Sequence, residues 1–104
     1  MLVYADENNL EQLMQQDFCM VDFYSETCGP CRMLAGILAK LESELPFVSF
    51  IKVNTTQYPN YAAKYEIRAV PTLFFVKNGA IAERHVGTLN AEQLKEKIGT
   101  YLYT

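Results

Sequence analysis

The chain has 104 residues, half of them apolar, enough to bury one core and too few for two domains of ordinary size, so residues 1–104 are expected to form one domain. Nine Lys and Arg against twelve Asp and Glu leave a net charge of −3 with no basic cluster, which argues against nucleic acid as a partner. Three cysteines, an odd number without a spacing framework, argue against a small disulfide-stapled scaffold.

The opening "MLVYADENNLEQLMQ" has neither the basic segment nor the continuous apolar segment of a secretory signal. No apolar run approaches the roughly 20 residues that cross a bilayer. The sequence thus reads as cytosolic, with no membrane partner. Residues 2–5 predict a short strand, and Asn8 and Asn9 supply a cap for a helix carrying Leu10, Leu13 and Met14. "FCMVDFY" is a nearly continuous apolar run, the pattern of a strand buried on both faces, broken by the single charge of Asp22. From Cys31 onward, Leu34, Ile37, Leu38, Leu41 and Leu45 recur at helical spacing until Pro46.

"FVSFIKVN" predicts another buried strand, and "YPNYAAKYE" a short helix with Pro59 in its first turn. "PTLFFVKNGAIAERHVG" divides at Asn78-Gly79, a strong hairpin signal, into two antiparallel strands. The tail carries Leu94, Ile98, Tyr101 and Leu102 on one helical face, with Asn90 as cap. The order β-α-β-α-β-α-β-β-α implies right-handed crossovers and a mixed sheet in a three-layer α/β/α domain.

"ETCGPCRML" carries the chemistry. It stands between a buried strand and a helix, at the carboxyl end of the strand, where open α/β sheets place their sites. Residues i and i+3 share a helical face with β-carbons about 5–6 Å apart, so a reversible Cys28–Cys31 disulfide needs little adjustment. Cys28 meets the unpaired N–H groups and positive end of the helix, which favour its thiolate and make it the nucleophile. Cys31, one turn further in, is desolvated and suits the resolving role. Gly29 permits close approach of a partner, and Pro30 suits a first helical turn. A structural zinc site would need four ligands, and only Cys19 and His85 remain to complete one. Cys19 reads instead as core and His85 as a solvated surface residue; no metal or bound cofactor is expected. Asp22 either is buried in its strand with a raised pKa, which suits a group that takes the proton of Cys31, or finds an edge exposed to solvent.

"VDFYSETCGPCRMLAGIL", "IRAVPTLFFVKNG" and "VGTLNAEQLKE" resemble the thioredoxin family over nearly the whole chain. The resemblance implies a five-stranded mixed sheet flanked by four helices. It also implies reduction of protein disulfides with electrons from a thioredoxin reductase. It matches Asp22 to the family's buried aspartate and Lys52 to the lysine that pairs with it. Val70-Pro71 matches the cis-proline loop, although an X-Pro bond by itself favours trans; Pro71 would face the cysteines and Val70 would pair with an extended substrate segment. Gly87 matches a glycine bordering the substrate groove. The chain departs from the family at Thr27 and Tyr24, where tryptophans are usual, at Gly36 in place of a proline, and at Thr56 in place of an aspartate. The expected protein is a monomeric thiol–disulfide oxidoreductase. A competing reading keeps the fold but uses the patch around Thr27, Pro30 and Val70 only to dock a partner.

Overall fold

A computed structural model describes residues 1–103. Its elements follow the expected order: β1 (Leu2–Tyr4), α1 (Leu10–Leu13), β2 (Phe18–Tyr24), α2 (Gly29–Glu44), β3 (Ser49–Asn54), α3 (Pro59–Lys64), β4 (Thr72–Lys77), β5 (Ala80–Val86) and α4 (Ala91–Leu102). The strands form one sheet in the order β1-β3-β2-β4-β5. β3 runs parallel to β1 and β2, whereas β4 is antiparallel to β2 and β5.

Because a strand points successive side chains to opposite faces, β2 feeds two cores at once. Phe18 and Met20 pack with Leu34, Leu38 and Leu41 of α2 and with Leu94 and Ile98 of α4. Cys19, Val21 and Phe23 pack on the other face with Leu10 of α1 and Tyr61 of α3. Two helices on each face give the three layers. β2 lies at the centre of the sheet, so its carboxyl end opens where α2 begins.

Local departures from the sequence expectations have identifiable causes. Asn9 occupies the N-cap position of α1 without capping it; its side chain accepts instead from the Asp6 N–H at 2.8 Å. The Leu10 N–H goes to the Tyr61 hydroxyl at 3.1 Å, so a tertiary contact replaces the local cap. β3 starts at Ser49 rather than at Phe47, which is 64% exposed, because the Val48 N–H turns back to the Leu45 carbonyl at 3.0 Å. In the hairpin, Asn78 and Gly79 have φ of 51° and 80°. These are the left-handed values that a two-residue connection with matching twist requires.

α4 opens on a reciprocal capping box: the Asn90 side chain accepts from the Gln93 N–H at 2.8 Å, and the Gln93 side chain from the Asn90 N–H at 3.0 Å. Asn90→Ala is expected to cost about 1 kcal/mol. Urea unfolding checks this as a lower midpoint at unchanged slope; an unchanged midpoint would show that the cap contributes nothing.

Candidate active site

The loop that leaves β2 is pinned by the turn after β3. The Thr55 N–H and hydroxyl donate to the Tyr24 carbonyl at 2.8 and 2.9 Å. The Thr56 hydroxyl accepts from the Glu26 N–H at 3.0 Å, and the Asn54 amide donates to the Glu26 carboxylate at 2.9 Å. Thr56 thus has a definite task, holding the segment that delivers Cys28.

Cys28 is the N-cap of α2. Its backbone is extended, and its Sγ accepts from the Cys31 N–H at 3.1 Å, so sulfur occupies the place that a serine or aspartate oxygen usually fills. The Cys28 and Cys31 Cα atoms are 5.2 Å apart, and the two sulfurs form a disulfide. Cys28 keeps 9% of its surface exposed against 3% for Cys31, which places Cys28 outward of its partner. Thr27, Gly29 and Pro30 are exposed beside it, as is Met33.

The Val70-Pro71 peptide bond is cis. Cys28 Sγ lies 3.7 Å from the Val70 carbonyl oxygen, so the proline loop stands directly against the outward sulfur. Gly87 donates its N–H to the Pro71 carbonyl at 2.8 Å and has φ of 101°, a conformation that favours glycine. Cys28, Val70, Pro71 and Gly87, separated by up to 59 positions in the numbering of the chain, are therefore linked by contacts at one end of the sheet.

Asp22 and Lys52 face each other in register on β2 and β3, and both are buried. Lys52 Nζ is 3.1 Å from Asp22 Oδ2, yet neither Asp22 oxygen has a well-aligned hydrogen bond among the described residues. The attraction is therefore mainly Coulombic. Burial pushes the Asp22 carboxyl above its ordinary range, and the opposing pull of Lys52 does not cancel it. The Lys52 ammonium also lies 4.7 Å from the centroid of the Tyr24 ring. A cleft of about 310 Å³, lined by Tyr24, Cys31, Arg32 and Lys52 among others, leads to this region.

The raised Asp22 pKa links stability to pH. Above the unfolded pKa the unfolded chain loses this proton first, while the folded chain still holds it. Asp22 therefore makes stability fall as pH rises from the ordinary carboxylate range through its folded pKa. Asp22→Asn is expected to remove that component of the slope; urea midpoints measured from pH 4 to 9 check it. An identical pH dependence in both proteins would contradict a raised pKa.

Cys19 is fully buried in β2, and burial pushes its thiol up to about 12, in keeping with a core role. His85 is half-buried on β5 rather than freely solvated. No group of three or more His, Cys, Asp or Glu suited to a metal occurs among the described residues. Sequence reasoning misses the capping role of the Cys28 sulfur and the contact between Tyr24 and Lys52. It also misses Arg84, whose guanidinium donates to the carbonyls of Tyr65 and Glu66 in the turn before the proline loop. The Lys52 and Arg84 contacts leave no local signal, because their partners lie far away in sequence, whereas the Cys28 cap is local and is missed because cysteine is not a usual capping residue.

Dithiol–disulfide exchange is the chemistry that this fold and this pair of cysteines define. The family model described as Thioredoxin matches residues 1–100. Among similar proteins, a thioredoxin of Chlamydia trachomatis serovar D is 33% identical over 101 residues, which cover 97% of this chain and 99% of that one. Thioredoxin Y2, chloroplastic, of Arabidopsis thaliana is 37% identical over 94 residues, 88% of this chain and 56% of that protein. Thioredoxin M-type, chloroplastic, of Pisum sativum is 40% identical over 84 residues, 80% of this chain and 49% of that protein. The chain belongs to the thioredoxin family and is a protein-disulfide oxidoreductase.

Proposed function

We propose that the protein reduces accessible disulfides of other proteins, with Cys28 as nucleophile and Cys31 as resolving thiol. The observation that carries this reading is the position of Cys28: a helix N-cap, in contact with a cis-proline loop, bonded to a more buried partner one turn away. In the reduced protein, the Cys28 thiolate attacks one sulfur of the substrate. A mixed disulfide forms and one substrate thiolate leaves. Cys31 then gives its proton to Asp22, attacks Cys28 Sγ, and releases the second substrate thiolate as the intramolecular disulfide closes. Two electrons pass to the substrate.

Lys52 serves as the counter-charge of Asp22 and lines the cleft through which the proton exchanges with solvent. Val70 pairs with the substrate backbone, while Pro71, Gly87 and the exposed Thr27, Gly29 and Pro30 shape the groove around Cys28. All of these groups come from one chain, which suits a monomer acting as one domain. No helix among the described residues is long and apolar enough to cross a membrane. We assign the protein to the cytoplasm, as an electron carrier in redox homeostasis that a thioredoxin reductase re-reduces. No observation favours a docking module that keeps the fold without its chemistry.

Insulin reduction driven by a thioredoxin reductase and its electron donor tests the reading. Turnover that depends on this protein is expected. Turnover with dithiothreitol but none with the reductase would overturn the proposed electron source. No turnover with either would overturn the function.

A further inference from the structure

Next to the proline loop lies a second hollow of about 380 Å³ lined by Glu66, Arg68 and Ala69, which precede Val70 in sequence, and by Arg84 and Val86 of β5. It is contiguous with the proline loop, since Ala69 precedes Val70 and Val86 pairs in register with Thr72. Its floor is apolar, with Val86 57% exposed. Its charge is opposite to that of the chain as a whole: two guanidiniums against one carboxylate, in a protein of net charge −3.

The two arginines differ. Arg84 is fixed: its Nη1 and Nη2 donate to the carbonyls of Tyr65 and Glu66 at 2.7 and 2.5 Å, and its guanidinium carbon lies 5.5 Å from the centroid of the Phe74 ring. Those carbonyls carry no full charge, Arg84 forms no ion pair among the described residues, and a guanidinium has five N–H donors of which these bonds use two. Arg68 is free to move, with its side chain 87% exposed and only a loose 3.8 Å contact to the Glu66 carboxylate. One preorganised cation and one adaptable cation flank the same apolar floor.

We propose that this hollow is a specificity subsite for an acidic side chain of the substrate protein, held by Arg84 and Arg68 while the substrate segment pairs with Val70. The proposal rests on the oxidoreductase reading above. The hollow adjoins Val70 through Ala69, and an extended segment advances about 3.3 Å per residue, so the acidic side chain belongs within about three residues of the one that pairs with Val70. Because Cys28 Sγ lies against the Val70 carbonyl, the residue that pairs with Val70 is the reactive cysteine or its neighbour, so preferred substrates are disulfides with Asp or Glu within about three residues of that cysteine. Both cations are exposed, so the effect is a moderate preference in binding that salt screens.

The test uses the reduced protein and two pairs of synthetic peptide disulfides, the members of each pair differing only by Glu or Gln at positions two and three from the cysteine. Acid is placed before the cysteine in one pair and after it in another. Second-order rate constants for oxidation of the protein by each peptide are divided by the same variant's rate with neutral bis(2-hydroxyethyl) disulfide, which removes any general effect of substitution on the dithiol.

For the wild type, one Glu peptide is expected to react about 3- to 10-fold faster than its Gln partner at low ionic strength, and the ratio to fall toward one at about 0.5 M salt. Arg68→Gln, at an exposed position, reduces the ratio, and Arg68→Gln with Arg84→Gln abolishes it. Equal rates for Glu and Gln peptides in the wild type, or a preference that survives the double substitution, would overturn the subsite alone. Failure to reduce either peptide or insulin would overturn the oxidoreductase reading and the subsite with it.

Discussion

Cys28→Ser is expected to reduce insulin-disulfide turnover at least about a thousandfold, to the background rate of the chemical reductant. A hydroxyl is a poor nucleophile toward sulfur and stays protonated at neutral pH, so the structural features that favour a thiolate have nothing to act on. The helix N-terminus, the Cys31 N–H aimed at Sγ and the nearby proline loop are all present without a reacting group. Cys31→Ser has a different expected outcome: Cys28 still attacks, but the mixed disulfide cannot be resolved, so the substrate stays covalently attached. Non-reducing gels and intact-mass spectra distinguish the two variants. Equal turnover by wild type and Cys28→Ser would favour docking over chemistry.

Asp22→Asn is expected to slow disulfide reduction about 100-fold near neutral pH, the lower end of the range for general-base catalysis. The direction with pH follows from protonation. A base acts only when ionised, and burial raises the Asp22 pKa, so the wild-type rate should climb as pH rises through that value. The asparagine variant should lack this climb, and the two rates should converge at alkaline pH, where hydroxide and solvent deprotonate Cys31 without help. Rates of mixed-disulfide resolution measured from pH 5 to 9 give both profiles. Unchanged rates across the range would remove Asp22 from the mechanism.

Much of the fold can be read from the sequence where local chemistry and tertiary packing agree. "FCMVDFY" predicts a strand buried on both faces, and β2 is the central strand between two cores. Asn78-Gly79 predicts the hairpin and supplies its two left-handed residues. Asn90 predicts the start of α4 and caps it, although the reciprocal bond from Gln93 is an addition found in the structure. Agreement ends where a distant partner takes over: Asn9 turns to Asp6 while the hydroxyl of Tyr61 serves Leu10.

The site is legible in a different way. The spacing of Cys28 and Cys31 is enough to propose their bridge, because one helical turn brings i and i+3 together. The partnership of Asp22 with Lys52 requires the register of β2 and β3, and the cis Val70-Pro71 bond requires knowledge of the fold. Residue preferences alone point to a surface lysine and a trans bond, so for these the family resemblance supplies the expectation. Arg84 is invisible to both approaches, since its task depends on two backbone carbonyls 18 and 19 positions away across the fold.

Alkylation of the reduced native protein, mapped by mass spectrometry as a function of pH, most directly tests whether the two thiols are unequal. Cys28 is expected to react at neutral pH with a midpoint below the roughly 8.5 of a free thiol, while Cys31 remains largely unmodified. Equal labelling of both cysteines, or faster labelling of Cys31, would contradict the account.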